Sequence, residues 1–283
     1  MRLLFFAILA VLSVLFLAQP AYAWGPSTHI FIGREIIAQA FSLPSPFSTV
    51  ISYYPFDFLY GSIFADMSIG KKFLFFAKMV HNWKVGFSLK EKADSEANLA
   101  CALGYLAHLA ADTISHNEFV PHKLIEHYDL YGKGHIFFEA RFDALLPDKK
   151  VHKLSREIVK CGSEHNDPFL EKNLARTIFS FKTNSKIYRG ILTMHRNNGI
   201  QLYRRFMAKS KNQIGENEVQ FYLNKSLSAV GDVMQKDSRS NFCLSDPHGK
   251  RALKKAIALR AKLRSSHGIS SSPDDSLQML EEI

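Results

Sequence analysis

Apolar residues recur along this chain at the three- and four-residue spacing of α-helices, and the alternating pattern of strands is rare. The pattern predicts a first long helix from about His29 to Phe41, with Thr28 as its N-cap. Further predicted segments are a short helix or turn over 56–67 and helices over 71–80, 87–115 and 135–145. Turn-forming residues punctuate the chain at 42–48, 128–134, Pro147, 166–168, 197–199 and Pro247. The chain is therefore predicted to be all-α, with about nine or ten helices in a single multi-helix domain.

Residues 1–23 have the pattern of an export signal. Arg2 gives a positive start, 3–17 form an almost unbroken apolar run, and Ala21-Tyr22-Ala23 fits a small-x-small cleavage site. The run is shorter than the about 20 residues of a membrane span, and an uncleaved membrane anchor is the alternative. We expect a signal peptide cleaved between Ala23 and Trp24, a free α-amino group on Trp24, and export to the periplasm or the medium.

Length and composition suit one large domain, or two small ones, with an excess of positive charge. The hydrophobic fraction is 47%, with 23 phenylalanines, which is sufficient for a substantial core. We expect the folded domain to span 24–264 and a polar, Ser-rich, disordered tail to span 265–283. The net charge of +10 would attract the protein to anionic lipid surfaces or to nucleic acid. For the basic residues near the C-terminus, a solvated helix face is the simpler interpretation.

The cysteine content excludes some kinds of site. Cys101, Cys161 and Cys243 are too few for a disulfide framework. The absence of a Cys-x-x-Cys pair argues against a thiolate zinc site. One disulfide with a spare thiol is an open alternative in an oxidising compartment, and the sequence favours no particular pairing.

The strongest chemical pattern is a ladder of ligand-type side chains on the predicted helix 87–115. His108, Asp112 and His116 follow one another at intervals of four residues, so a helix presents all three on one face. The two histidines are separated by a rise of about 12 Å, whereas a zinc–nitrogen bond measures about 2.0–2.1 Å. The spacing therefore predicts two or more ions in a row, with the two carboxylate oxygens of Asp112 as a bridge.

A second pair, His135 and Glu139, is also four residues apart and has apolar neighbours. Such a pair holds a metal ion together with a ligand from another helix, or it is a core histidine satisfied by a carboxylate. The nearby ladder favours the metal interpretation, because an apolar helical region has little other use for so many ionisable side chains.

Three further candidates precede the ladder. His29 lies five residues after Trp24, Asp66 lies in a mostly apolar stretch where a carboxylate needs a partner, and His81 follows a long apolar run. Asp57 is a weaker competitor for Asp66. Each of these residues taken alone is more often structural than functional. They support a metal site only in combination with the other candidates.

Taken together, these residues resemble the bacterial zinc-dependent phospholipase C family, whose superfamily also contains single-strand nucleases with three zinc ions. The resemblance covers about 24–143 and starts with Trp24-Gly25-Pro26-Ser27-Thr28-His29, which is similar to the mature N-terminus of these enzymes. It implies a set of metal ligands made of Trp24 (through its amino and carbonyl groups), His29, Asp66, His81, His108, Asp112, His116, His135 and Glu139. The gap between Asp112 and His116 is shorter by two residues than in the better-known members, so His122 is an alternative ligand.

The resemblance implies a zinc-dependent phosphodiester hydrolase with a buried cluster of about three Zn²⁺ ions, most simply a phospholipase C acting on phospholipids. It also implies that Asp66 is a general base as well as a ligand. A single-strand nuclease or nucleotidase on the same site is one alternative, and a non-catalytic metal-stabilised binding protein is another. The expected partners are a phospholipid or another phosphodiester, an anionic membrane surface in peripheral contact, and nucleic acid as the alternative substrate. We expect the protein to be a monomer.

Overall fold

A computed structural model describes residues 24–67, 81–128, 135–148, 150–174, 180–194 and 214–266. All regular structure in these ranges is helical, which confirms the predicted all-α class. Several predicted features lie outside the described residues, namely the signal peptide 1–23, the helix 71–80, most of the loop 128–134, the turn 197–199 and nearly all of the tail 265–283.

The helices are, in chain order, α1 (Pro26–Ala38), α2 (Phe47–Tyr53), α3 (Pro55–Phe64), α4 (Trp83–Glu91), α5 (Glu96–Ile114), α6 (Val120–Glu126), α7 (His135–Leu145), α8 (Val151–Asn173), α9 (Phe181–Met194), α10 (Glu216–Lys236) and α11 (Lys250–Ser266). A π-helical turn (Ser115–Phe119) joins α5 to α6 without a break. Short 3₁₀ turns follow α1 (Ala40–Ser42) and α10 (Asp237–Arg239 and Asn241–Leu244).

Helix α5 is the centre of the hydrophobic core. Every residue from 100 to 114 is buried, and α3, α4, α8 and α10 all pack against this helix. The approach of α3 to α5 is unusually close. A Cβ atom on Gly61 would lie 1.9 Å from the carbonyl oxygen of Cys101, and one on Gly104 would lie 1.9 Å from that of Phe58. Glycine at both positions therefore allows the two helix backbones to touch.

The predicted helix 87–115 is two helices, and this boundary was wrong. The chain leaves helical geometry after Glu91, and the side chain of Ser95 accepts a hydrogen bond from the backbone N–H of Asn98, 3.2 Å away, as the N-cap of α5. Asn82 caps α4 in the same way, accepting from the N–H of Val85. The Ala- and Leu-rich spacing of the region concealed this polar junction.

Thr28 is inside α1, so its prediction as the N-cap was also wrong. The helix begins two residues earlier, after Gly25, and has a proline in its first turn. The Thr28 hydroxyl and backbone N–H instead donate to a carboxylate oxygen of Asp143, at 2.5 and 2.8 Å. The Asp143 carboxylate on α7 thus accepts hydrogen bonds at the start of α1, a role that the sequence pattern assigned to the Thr28 side chain.

The predicted break at 166–168 lies within α8, which continues through Pro168. A proline inside a helix removes one backbone hydrogen bond. The side chain of Asn166 holds the turn by donating to Asp57 on α3 at 2.7 Å and to the carbonyl of Gly162 at 2.8 Å. The tertiary contact with Asp57 and the contact with Gly162 within the helix together outweigh the local turn signal.

The three cysteines are all free, so none of the open disulfide pairings is formed. Cys101 is buried in the core, Cys161 is exposed, and Cys243 is half-buried. Within the described ranges, no helix is both long enough and apolar enough to cross a membrane.

Candidate metal centre

The structure brings the predicted side-chain ligands together in three groups, two of which share a residue. In each group the potential donor atoms all lie within 4.8 Å of one another. The groups are His29–Asp66–His108, His81–His108–Asp112 and His116–His135–Glu139. Apart from His135, which is half-buried, all of these residues are buried.

Asp112 on α5 is the centre of the cluster. Its Oδ1 lies 3.3 Å from Nε2 of His29, and its Oδ2 lies 2.8 Å from Nε2 of His81 and 3.1 Å from Nε2 of His108. Nε2 of His81 and Nε2 of His108 are only 2.7 Å apart. Helices α1 and α5 and the start of the 81–128 segment thus direct three imidazole nitrogens toward one carboxylate.

Asp66 lies at the edge of the same cluster, two residues after the end of α3. Its Oδ1 is 3.7 Å from Nε2 of His108 and 3.8 Å from Nε2 of His81, and the residue is 2% exposed. Asp57, its predicted weaker competitor, is not in the cluster. The Asp57 carboxylate instead accepts from Asn166 at 2.7 Å, and one of its oxygens lies 3.3 Å from a ring nitrogen of His165.

The third group forms where the π-helical turn meets α7. Nε2 of His116 is 3.1 Å from Nε2 of His135 and 3.9 Å from Oε1 of Glu139, and His135 also contacts this Glu139 oxygen directly. His108 and His116 therefore belong to different groups, as the rise between them predicts. His122, the alternative ligand, lies elsewhere, beside Glu126 and Glu218.

Backbone carbonyls fix the orientation of two of the imidazole rings. Nδ1 of His108 is 2.7 Å from the carbonyl oxygen of Ser62, and Nδ1 of His116 is 2.6 Å from that of Pro247. A carbonyl only accepts hydrogen bonds, so Nδ1 carries the proton in both rings. In the neutral ring, Nε2 then presents its lone pair to the cluster, which is the arrangement common among metal-ligating histidines.

Several buried polar atoms at the centre have no hydrogen bond, which provides a test of whether a metal fits. They are both carboxylate oxygens of Asp112, both of Glu139, and Nε2 of His29. Histidine nitrogens approach the Asp112 oxygens closely without forming a hydrogen bond to them. Buried polar atoms without partners are costly, and a cation where they converge would satisfy them. Imidazole and carboxylate donors without thiolates fit zinc.

Burial and charge shift the pKa values of the cluster in opposite directions. Burial lowers the pKa of His29 and of His116, which favours neutral rings with lone pairs available. Burial, followed by the nearby charges of Asp112 and Asp66, raises the pKa of Glu139 well above its usual value. A metal ion at the third group would therefore compete with a proton on Glu139.

Asp112 and His108 each shift the pKa of the other toward the charged form. Burial alone would raise the pKa of Asp112, but the charge of His108 and the close approach of the surrounding histidine nitrogens outweigh burial and hold this pKa well below its usual value. Burial alone would lower the pKa of His108, but the carboxylates of Asp112 and Asp66 reverse this and raise it. The central carboxylate is thus ionised, as a metal ligand must be.

Trp24 is anchored against α5 next to the cluster. Its indole N–H donates to the carbonyl of Ala111, the residue before Asp112, at 3.0 Å, and lies 3.1 Å from the hydroxyl of Ser226 on α10. Its ring packs on Phe142 with centroids 4.2 Å apart, and the side chain is fully buried. These contacts place the indole of Trp24 against the backbone of α5 at the residue before Asp112.

Asp143 is a positioning residue that the sequence pattern did not identify. Its carboxylate accepts from the backbone N–H groups of Ser27 and Thr28, at 3.2 and 2.8 Å, and so caps the first turn of α1, which carries His29. A Cβ atom on Gly25 would lie 2.4 Å from this carboxylate. The available signal was its spacing, because Asp143 follows Glu139 by four residues on the same helix.

The segment 245–249 was predicted only as a turn, yet it lies over the cluster. The indole N–H of Trp83 donates to the carbonyl of Ser245 at 2.8 Å. The ring of His248 packs edge-on against His81, with centroids 4.9 Å apart. Together with the contact of Pro247 to His116, these interactions make the segment one wall of the site.

The fold and the site define a helical protein with a buried cluster of histidine and carboxylate side chains that fits zinc. The family model described as zinc-dependent phospholipase C matches residues 28–188, which is more than half of the 283-residue chain. The chain belongs to this family. Comparisons with curated proteins and with solved structures give no match. The family match includes every predicted histidine and carboxylate ligand, but it leaves out Trp24 and the segment 245–249.

Proposed function

We propose that this protein is a zinc-dependent phosphodiester hydrolase that acts as a phospholipase C, cleaving the glycerol–phosphate bond of phospholipids. The observation that carries the proposal is the buried convergence of histidine and carboxylate donors in three groups, with central oxygens that have no hydrogen bonds. Family membership supports the same class of reaction. A structural role for the cluster alone would not account for so many buried polar atoms without hydrogen bonds.

The proposed ligand set is the one implied by the resemblance, and about three zinc ions would occupy it. Asp112 would bridge two ions. The two Asp112 oxygens face different histidines, with Oδ1 nearest His29 and Oδ2 nearest His81 and His108, which supports this role. The remaining ligands are Trp24, Asp66, His116, His135 and Glu139.

Bound zinc would neutralise the phosphate oxygens, acidify a water molecule and stabilise the leaving oxygen. We propose Asp66 as the general base that takes the proton of the attacking water on a carboxylate oxygen. Its position at the edge of the cluster, 3.7 Å from His108, supports this role. A general base must lie close enough to the metal ligands to reach a water molecule bound at the metal. Ser62 holds the His108 ring in place from the opposite side.

The amino terminus is the second part of the proposal. Cleavage after Ala23 would free the α-amino group of Trp24, which would then bind zinc together with the Trp24 carbonyl and His29. The anchoring of the indole at Ala111 and Ser226 supports this, because it fixes the Trp24 residue beside Asp112. The exported, cleaved form would be the active one, and the precursor would lack a ligand.

Peripheral contact with an anionic membrane surface is a related proposal. The net charge is +10, and the exposed side chains of Lys250, Arg251, Lys254 and Lys255 on α11 provide a basic face. Co-sedimentation of the protein with phosphatidylserine vesicles should weaken as salt concentration rises. Binding that is indifferent to salt would argue against this basic face. We also propose that the protein is a monomer, which size-exclusion chromatography with light scattering tests.

A substrate panel tests the proposed reaction. The mature protein, with zinc or with chelator, is incubated with phosphatidylcholine in mixed micelles and with single-stranded DNA. We expect diacylglycerol release that depends on zinc and is abolished by Asp66→Asn. Asp57→Asn is the matched control, because it changes a buried carboxylate outside the cluster.

The other outcomes have distinct meanings. Cleavage of single-stranded DNA without phospholipid turnover would support the nuclease alternative and refute the phospholipase C proposal. Zinc binding without turnover of any phosphodiester would indicate the non-catalytic binding protein instead.

A further inference from the structure

The segment Ser245–Gly249 lies outside the family match, yet it makes direct contact with a predicted metal ligand. The carbonyl oxygen of Pro247 is 2.6 Å from Nδ1 of His116, and the two residues are 131 positions apart in the sequence. Both residues are buried. This is a short, desolvated hydrogen bond from a ligand-type side chain to a backbone group on a distant part of the chain.

The contact determines which nitrogen of His116 faces its group. Because the Nδ1–H of His116 donates to this carbonyl, Nε2 carries the lone pair and is directed at Nε2 of His135, 3.1 Å away, and at Oε1 of Glu139, 3.9 Å away. Without this carbonyl, the ring would populate both tautomers and more than one orientation. Partners of this kind typically change metal affinity by about 10–100-fold when they are removed.

Gly249 allows the segment to approach His116 this closely. Its φ angle is +53°, a backbone conformation that residues with a Cβ atom adopt only with strain. A Cβ atom at this position would also lie 2.2 Å from the carbonyl oxygen of His116 and 2.6 Å from its Cβ. The space against the π-helical turn is therefore open to glycine alone.

The segment is held by two other elements just before Pro247. Trp83 on α4 donates to the carbonyl of Ser245 at 2.8 Å, and the side-chain amide of Asn117 on the π-helical turn donates to the carbonyl of Asp246 at 3.0 Å. The Asp246 carboxylate closes the turn by accepting from the backbone N–H of His248 at 3.1 Å. The Pro247 carbonyl is thus fixed in place by contacts with two separate elements.

We propose that Ser245–Gly249 is a positioning element for the third metal group. It sets the zinc affinity of His116, His135 and Glu139 by holding His116 in one tautomer and one orientation. The segment orients no ring of the other two groups through a backbone hydrogen bond, because Nδ1 of His108 donates to Ser62 and the contact of His248 with His81 is ring packing alone. The inference rests on the proposed function, since it requires that the third group binds zinc.

Zinc titration of Gly249→Ala tests the inference. The mature full-length protein is stripped of metal and titrated with zinc against a chromophoric chelator of known affinity. We expect one site to weaken by about 10–100-fold while the others keep the wild-type affinity. Gly231→Ala is the matched control, because a Cβ atom at Gly231 on α10 would meet nothing within 4 Å. This control should bind zinc as the wild type does.

A second variant and a spectroscopic readout cover the case in which Gly249→Ala does not fold. Asp246→Ala removes a side chain that is 43% exposed, so it loosens the turn without opening the core. Nitrogen-15 NMR of the imidazole rings should show His116 protonated on Nδ1 in the wild type and a tautomer mixture in this variant. The same single site should weaken.

The outcomes separate the two proposals. If the wild type binds zinc and the folded Gly249→Ala and Asp246→Ala variants bind it equally well at every site, the positioning role is overturned and the metal centre stands. If the wild type binds no zinc, both proposals fail.

Discussion

Replacing Gly104 by alanine tests the close contact between α3 and α5 that brings the cluster together. A Cβ atom on Gly104 would lie 1.9 Å from the carbonyl oxygen of Phe58, whereas Cβ atoms essentially never approach another atom within 3.0 Å. The helices would have to separate by the difference, which is about 1.1 Å. The clashing atom belongs to the backbone of α3, so a side-chain rotation cannot relieve the overlap.

The expected cost follows from two opposing effects. Overpacking of a tight core costs about 1–3 kcal/mol, and the backbone clash places Gly104→Ala at the upper end of that range. Alanine gains about 1 kcal/mol over glycine in helix propensity. We therefore expect a net loss of about 2 kcal/mol in the free energy of unfolding. His108 lies one turn beyond Gly104 and Asp66 lies just beyond α3, so zinc affinity should fall as well.

Urea unfolding of the chelator-treated protein is the appropriate assay, because bound metal would otherwise add its own stabilisation. Gly231→Ala is the control again, and it should equal or exceed the wild type in stability because its Cβ atom meets no neighbour. A Gly104→Ala variant within about 0.5 kcal/mol of the wild type would refute the close contact between the two helices.

Three further predictions concern the metal ligands themselves. Asp112→Asn should weaken two zinc sites at once, whereas His135→Ala should weaken one, and elemental analysis of the dialysed variants measures the difference. A form with a retained methionine ahead of Trp24 should bind about one ion fewer and lose much of its activity, because its α-amino group is displaced. Zinc binding should expel a proton from Glu139, whose pKa is raised, so that affinity falls as the pH is lowered through that pKa; calorimetry in buffers of different ionisation enthalpy detects the proton.

Each of these predictions has a result that would count against it. Full metal content in Asp112→Asn would exclude the bridging role. Equal metal content and activity in the extended form would exclude the amine ligand and leave Trp24 as a packing residue. Unchanged proton release in Glu139→Gln would show that the proton comes from another group.

The helical class and the closeness of the central histidine and carboxylate side chains were predictable from the sequence for a physical reason. Spacing by four residues on a helix brings side chains to one face, so His108 and Asp112 are adjacent wherever that helix forms. His135 and Glu139 follow the same rule. The expectation that Trp24 lies near the cluster came from the resemblance, because no local periodicity relates Trp24 to Ala111, 87 positions away in the sequence.

The remaining features depend on contacts that have no local signature. The Pro247 carbonyl and the Asp143 carboxylate reach the site from distant segments, and a backbone carbonyl has no residue identity to recognise. Helix α8 passes through Pro168 because Asn166 is held by Asp57, a contact between separate helices. In the 87–115 region, the apolar spacing continued across a polar junction at Ser95.

The zinc content of the mature, signal-cleaved protein tests the central claim most directly. The protein is purified without chelator, dialysed against metal-free buffer and measured by elemental mass spectrometry against its concentration. We expect close to three zinc ions per chain, from three groups of donors that converge within 4.8 Å. A chain that retains no zinc while keeping its helical fold would contradict the proposed metal centre and the hydrolase function that depends on it.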